Sequence, residues 1–168
     1  MVEIITGVTL AARVIFFVSS YRSYKAESKK EDDRAVRNWI MESINGLKNH
    51  AVNLMEIGYR NDDNNLEREA KVMIENLDLF KNEVNLAATG EVQTIWNKKS
   101  STDFENLVDF DVKVIEEIDN VNKKMSKLEI EVTANGDNIL RLLGEAKSGI
   151  TAARNHFIQR MQFVKGVN

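Results

Sequence analysis

Residues 104–132 read FENLVDFDVKVIEEIDNVNKKMSKLEIEV. Apolar side chains recur there in alternating steps of three and four. Phe104, Ile118, Met125 and Val132 fall on one heptad position, and the series runs on through Ile139, Ala146 and Ala153. Leu107, Val114, Val121, Leu128 and Leu142 fall on its partner position. Such a repeat lays an apolar seam along an α-helix. Asp111, Asn135 and Gly149 interrupt the seam. Asn135-Gly136-Asp137 has the composition of a turn, yet the heptad phase is kept across it. The spacing therefore predicts one C-terminal helix over 102–165, unbroken or kinked at Asn135-Gly136. Thr102-Asp103-Phe104-Glu105 reads as the capping box that starts it.

Working upstream, Leu66, Ala70, Met73, Leu77, Phe80 and Val84 predict a helix that stops near Thr89-Gly90. A connector follows, with a helical turn around Val92–Trp96. Val36, Ile40, Ile44, Leu47, Ala51 and Leu54 predict another helix, carried through Asn45-Gly46. Ser28-Lys29-Lys30-Glu31 and the Asn64/Glu67 pair read as its and the next helix's N-terminal caps. Gly58 and Asn61–Asn65 form the turn between them. The chain has 168 residues, no proline and only 8 glycines. Proline breaks helix interiors, so its absence suits a nearly all-helical chain. The expected fold is a single all-α domain over 1–168, an antiparallel four- or five-helix bundle. In such a bundle the heptad seam belongs to the intramolecular core more readily than to a dimeric coiled coil.

The first two dozen residues stand apart. Residues 4–18 are almost all apolar, broken by Thr6, Gly7, Thr9 and Arg13, and the basic residues Arg22, Lys25, Lys29 and Lys30 follow. A helix is expected over 1–25. A spanning helix needs roughly 20 apolar residues, and this run nearly supplies them. Arg13 in its middle costs about 2.5–3.5 kcal/mol on insertion scales. Thr6, Thr9, Arg13 and Ser20 share one narrow helical stripe, with apolar residues around the rest. Two readings stay open: a core helix of a soluble bundle with Arg13 reaching solvent, or a helix that also leaves the bundle and inserts. The membrane-insertion candidates are Glu3, Ile4, Ile5, Val8, Leu10, Val14, Ile15, Phe16, Phe17 and Val18. The segment lacks the basic start and small-residue cleavage site of a secretory signal.

Enzymatic chemistry has little to draw on. There are no cysteines, which removes disulfides, thiolate metal sites and cysteine nucleophiles. The histidines are His50 and His156, in neither a Glu-x-x-His nor a His-Glu-x-x-His setting. Asn61–Asn65 lacks the calcium-loop pattern, and no glycine-rich phosphate loop occurs. No enzyme activity and no cofactor are expected. A net charge of -3 points away from nucleic acid.

With the helices placed, the order of features resembles the HeLo and HeLo-like domains, N-terminal helical bundles of fungal cell-death proteins and immune receptors. It is similar also to the four-helix executioner domain of necroptosis. Four stretches carry the resemblance, within about residues 1–122: the apolar start Ile4–Ala12, the charged helix from Asp33, the run Ala70–Phe80, and Trp96–Ser100 leading through Phe104–Val108 to Val114–Ile118. The resemblance implies that bundles cluster, release the N-terminal helix and insert it into a membrane. Glu3 matches the acidic position near the start of that helix. The chain departs from the family in Arg13, in helical sequence running to Asn168, and in lacking a glycine-asparagine-rich amyloid motif.

The expected function is a non-enzymatic bundle in the cytoplasm that is recruited to a membrane, with lipids and its own copies as partners. The alternative is a soluble adaptor or oligomerisation bundle. Its helix-association candidates are Leu107, Val114, Ile118, Val121, Met125 and Leu128, with a protein partner on the C-terminal helix.

Overall fold

The computed structural model describes residues 9–25, 28–87 and 99–166. Among them are five helices: α1 (Leu10–Phe17), α2 (Lys29–Arg60), α3 (Asn64–Leu86), α4 (Ser101–Thr133) and α5 (Ile139–Lys165). The fold is an all-α bundle, as the apolar spacing predicts. The apolar residues named above for α2 and α3 are all buried, and α2 also buries Asp32, Asp33 and Gly58, which lies within the helix rather than in the turn after it. α2 runs unbroken through Asn45-Gly46.

The single helix expected over 102–165 is two helices, α4 and α5. The chain reverses at Ala134–Asn138. Asn135 adopts the left-handed conformation at φ 51°. The Asn135 N–H then donates to the Val132 carbonyl and the Gly136 N–H to that of Glu131, a Schellman closure. α2 ends the same way, with Asp62 at φ 54° and the Asp63 N–H on the Gly58 carbonyl. Asn and Asp are the side chains that tolerate this conformation best after glycine. The heptad phase survives the reversal, so spacing alone could not reveal it.

The helix expected over 1–25 is also shorter. Among the described residues its helical part ends at Phe17, and the chain then folds back through turns to Lys25. The helix starts differ from expectation in register. Asp63, not Asn64, caps α3, accepting from the Asn65 and Leu66 N–H groups. The capping box of α4 is Ser100 with Asp103 rather than one opening at Thr102. Ser28 makes no cap bond to α2, and Asp32 rather than Glu31 reaches back to the preceding turn.

Two antiparallel hairpins, α2–α3 and α4–α5, lie side by side. Lys48 to Asp78 (2.7 Å) ties α2 to α3. Gly149 lets α5 pack closely on α4: a Cβ there would stand 2.5 Å from Val121 Cγ2. His50 to Glu129 (2.7 Å) joins α2 to α4, while Arg154 to Glu83 (2.6 Å) and Lys147 to Glu69 join α3 to α5. These pairings make α2 parallel to α4 and α3 parallel to α5. The starts of α2 and α4 and the end of α5 therefore meet at one end of the bundle, and α1 packs there against α4.

Candidate functional site: a buried ion cluster beneath the N-terminal segment

Thr9 caps α1 by accepting from the Ala12 N–H. Val14 is fully buried and Val18 nearly so, while Phe17 meets the Trp39 ring edge-on at 5.4 Å. Arg13 does not simply reach solvent. It forms a two-point pair with Glu116 on α4, its Nε 2.6 Å from Oε1. Both side chains remain more than a third exposed, so the pair contributes at most about 1 kcal/mol.

Past α1 the chain forms a strap, residues 18–25. Ser23 and Tyr24 both have φ 59°, a conformation that costs roughly 1–2 kcal/mol for each non-glycine residue. Asp32, on the first turn of α2, holds it there. Its carboxylate accepts from the Arg22 N–H at 2.9 Å and the Tyr24 N–H at 2.7 Å. Ser28 Oγ donates to the Lys25 carbonyl, fixing the chain's entry into α2.

The strap aims two phenols into the bundle. Tyr21 and Tyr24 both donate to Asp111 Oδ2, at 2.9 and 2.5 Å. Arg160 donates from Nε to Asp111 Oδ1 at 2.5 Å, and from Nη2 to the Tyr24 hydroxyl and Asp33 Oδ1, both at 2.9 Å. Arg37 completes the set by donating to Asp33 Oδ2 at 2.9 Å. Arg160 and Asp111 are wholly buried, with Tyr21, Tyr24, Asp32 and Asp33 nearly so.

Burial sets the electrostatics first. It pushes the Tyr21 phenol far above its ordinary value, and the adjacent Asp111 carboxylate adds to the rise. It does the same to Tyr24, against the opposing pull of Arg160. Burial also raises the Asp111 carboxyl, although Arg160 and the two phenols draw it down. At Asp33 burial is outweighed by Arg160 and Arg37, which hold its carboxyl below the usual range. Burial disfavours the Arg160 cation, but Asp111, Tyr24 and Asp33 together keep it firmly charged. Buried charges persist only when fully hydrogen-bonded, and here the strap takes part in three of the bonds.

The sequence-predicted positions divide clearly. Leu10, Ile15 and Phe16 are exposed on α1, Phe16 at 83%. Val14 and Val18 are buried, and Phe17 is half-buried. Glu3, Ile4, Ile5 and Val8, and the turn expected at Val92–Trp96, lie outside the described residues. Leu107, Val114, Ile118, Val121, Met125 and Leu128 are all in the intramolecular core, so that seam presents no surface to a partner. On α5 the exposed large apolar side chain is Leu140. No described helix is long and apolar enough to cross a membrane. Among the described residues no three His, Cys, Asp or Glu side chains form a metal site.

Sequence reasoning missed the ion cluster, although a signal was present. Asp111 and Arg160 both occupy the heptad position of Phe104. Opposite charges on an apolar seam mark a buried pair. No family model matches the chain, and no curated protein or solved structure matches it either.

Proposed function

We propose that this chain is a non-enzymatic helical-bundle module that acts at membranes, with residues 1–24 as the releasable element. The observation that carries the reading is how α1 is held. Its outward face offers Leu10, Ile15 and Phe16 to solvent. Its strap is fastened by hydrogen bonds to a charged cluster, bonds that water can replace when the strap lifts, as well as by the buried Val18, Tyr21 and Tyr24 side chains. The α2–α3 and α4–α5 hairpins pack on one another through side chains of their own. The described helix is too short to span a bilayer, so insertion draws on the apolar residues before Thr9 as well. The resemblance to HeLo-like domains agrees with this order of events, including recruitment from the cytoplasm and clustering of copies.

Dye leakage from anionic vesicles tests the reading. Ile15→Glu with Phe16→Glu changes two exposed positions, so the bundle keeps its helicity. Leakage by the parent chain and its loss in the double variant are expected. Equal leakage by a folded double variant refutes the assignment of α1.

A protein-binding reading rests on a different surface. Val72, Leu79 and Leu86 form an exposed stripe at seven-residue spacing along α3. An apolar stripe of this kind suits a partner helix. Loss of partner or self-association on Leu79→Glu, with leakage intact, separates the two surfaces.

A further inference from the structure

A cleft of about 800 Å³ opens between α1, the strap and the first turns of α2 and α4. Its volume falls in the roughly 300–1,000 Å³ range of small-ligand sites. The floor is apolar: Leu10 and Ala11 from α1, Phe104 and Val108 from α4. The rim is basic. Lys25, Lys29 and Lys99 converge on it from three separate parts of the chain, against a single acid, Glu105.

Two of the three ammonium groups lie beside aromatic rings. Lys29 Nζ sits 4.4 Å above the Phe104 ring. Lys99 Nζ donates to the Phe163 carbonyl at 2.9 Å and lies 4.4 Å from that residue's ring. Among the described residues no carboxylate stands within salt-bridge distance of Lys25, Lys29 or Lys99, and the nearby Asp103 carboxylate, which caps α4 through Ser100, feels Lys99 only as a minor influence. Elsewhere on the bundle lysines do find acids, as at Lys48–Asp78, Lys113–Asp109, Lys123–Asp119 and Lys147–Glu69. Positive charge concentrated over an apolar floor is complementary to one kind of molecule: an anionic head on an apolar chain.

We propose that this cleft binds a single-chain anionic amphiphile, with a carboxylate or phosphate head at Lys25, Lys29 and Lys99 and the chain along Leu10, Ala11, Phe104 and Val108. The occupant touches α1 on one wall and α2 and α4 on the other, so it ties the N-terminal helix to the bundle. The site is independent of the membrane reading, since binding is measured without vesicles.

The test is calorimetric titration of the intact chain with dodecanoate, dodecyl phosphate, dodecyl maltoside, dodecyltrimethylammonium and inorganic phosphate, each below its micelle concentration. Expected is one saturable site for an anionic amphiphile, about tenfold tighter than for the neutral or cationic one or for phosphate alone. The stronger of the carboxylate and phosphate arms identifies the head. Lys25→Gln with Lys29→Gln should weaken binding about tenfold, whereas Lys123→Gln with Lys124→Gln removes the same charge elsewhere and should not. Bound amphiphile should also slow hydrogen exchange at the Arg13 and Val14 amides. No saturable site, equal binding of the neutral amphiphile, equal binding of phosphate alone, or indifference to the Lys25/Lys29 change each overturns the proposal.

Discussion

Arg160 and Asp111 meet at 2.5 Å with no solvent exposure on either side chain. They come from the two arms of the α4–α5 hairpin, at the end where α2 begins. Their pairing explains why a bundle with an otherwise apolar core keeps charge inside it. The pair is complete only when Tyr21 and Tyr24 of the strap are docked on it.

Removing one partner strands the others. Arg160→Met leaves Asp111 without its guanidinium and Asp33 with Arg37 alone, and should cost about 3–5 kcal/mol, as breaking buried ion pairs does. Urea unfolding measures this. Combining Arg160→Met with Asp111→Leu should cost less than the sum of the single changes, because the stranded carboxylate is gone.

Tyr24→Phe deletes one donor to Asp111 and one acceptor for Arg160. The expected loss is about 1–3 kcal/mol, the cost of leaving buried partners unsatisfied. Hydrogen exchange should locate it: amides of α1 and the strap exchange faster, while the centres of α2–α5 keep their protection. A uniform loss across all helices would show that the strap is not a separately opening unit.

The raised phenols make stability fall in alkali. Unfolded tyrosines lose their protons near pH 10, while Tyr21 and Tyr24 hold theirs in the fold. The folded state therefore binds more protons, so its stability is intact below about pH 10 and declines above it, by up to about 1.4 kcal/mol per pH unit per phenol. Urea unfolding at a series of alkaline pH values should show this slope. Tyr21→Phe should reduce it.

Two glycines on α5 should respond oppositely to alanine. At Gly149 a Cβ meets Val121 Cγ2 at 2.5 Å, so Gly149→Ala should cost about 1–3 kcal/mol through overpacking, and Val121→Ala should restore much of it. At Gly144 a Cβ meets nothing within 4 Å. Gly144→Ala should stabilise by roughly 0.5–1 kcal/mol through helix propensity. Thermal unfolding checks both.

Where one apolar face meets one core, the sequence was readable: Ile40 and Ile44 on α2, Leu77 and Phe80 on α3, and Leu107 and Val114 on α4 are all buried as their spacing requires. The three seam interruptions were visible, but their separate meanings were not. Asp111 joins the ion cluster, Asn135 turns the chain, and Gly149 lets two helices approach. Only tertiary structure distinguishes those roles, because each depends on residues distant in sequence. The early end of α1 was hidden for the same reason. Residues 18–25 leave the helix to bring Tyr21 and Tyr24 onto Asp111, about 90 residues away, and tertiary bonding overrides local propensity. Nothing in the local sequence announces that partner.

The most direct test of the account pins α1 in place. The chain has no cysteine, so Arg13→Cys with Glu116→Cys can be joined by a short, reductively cleavable bismaleimide linker between α1 and α4. Dye leakage from anionic vesicles is then measured before and after cleavage. The account predicts no leakage while the linker is intact and leakage once it is cut. Equal leakage in both states would contradict release of the N-terminal segment, and so would no leakage in either.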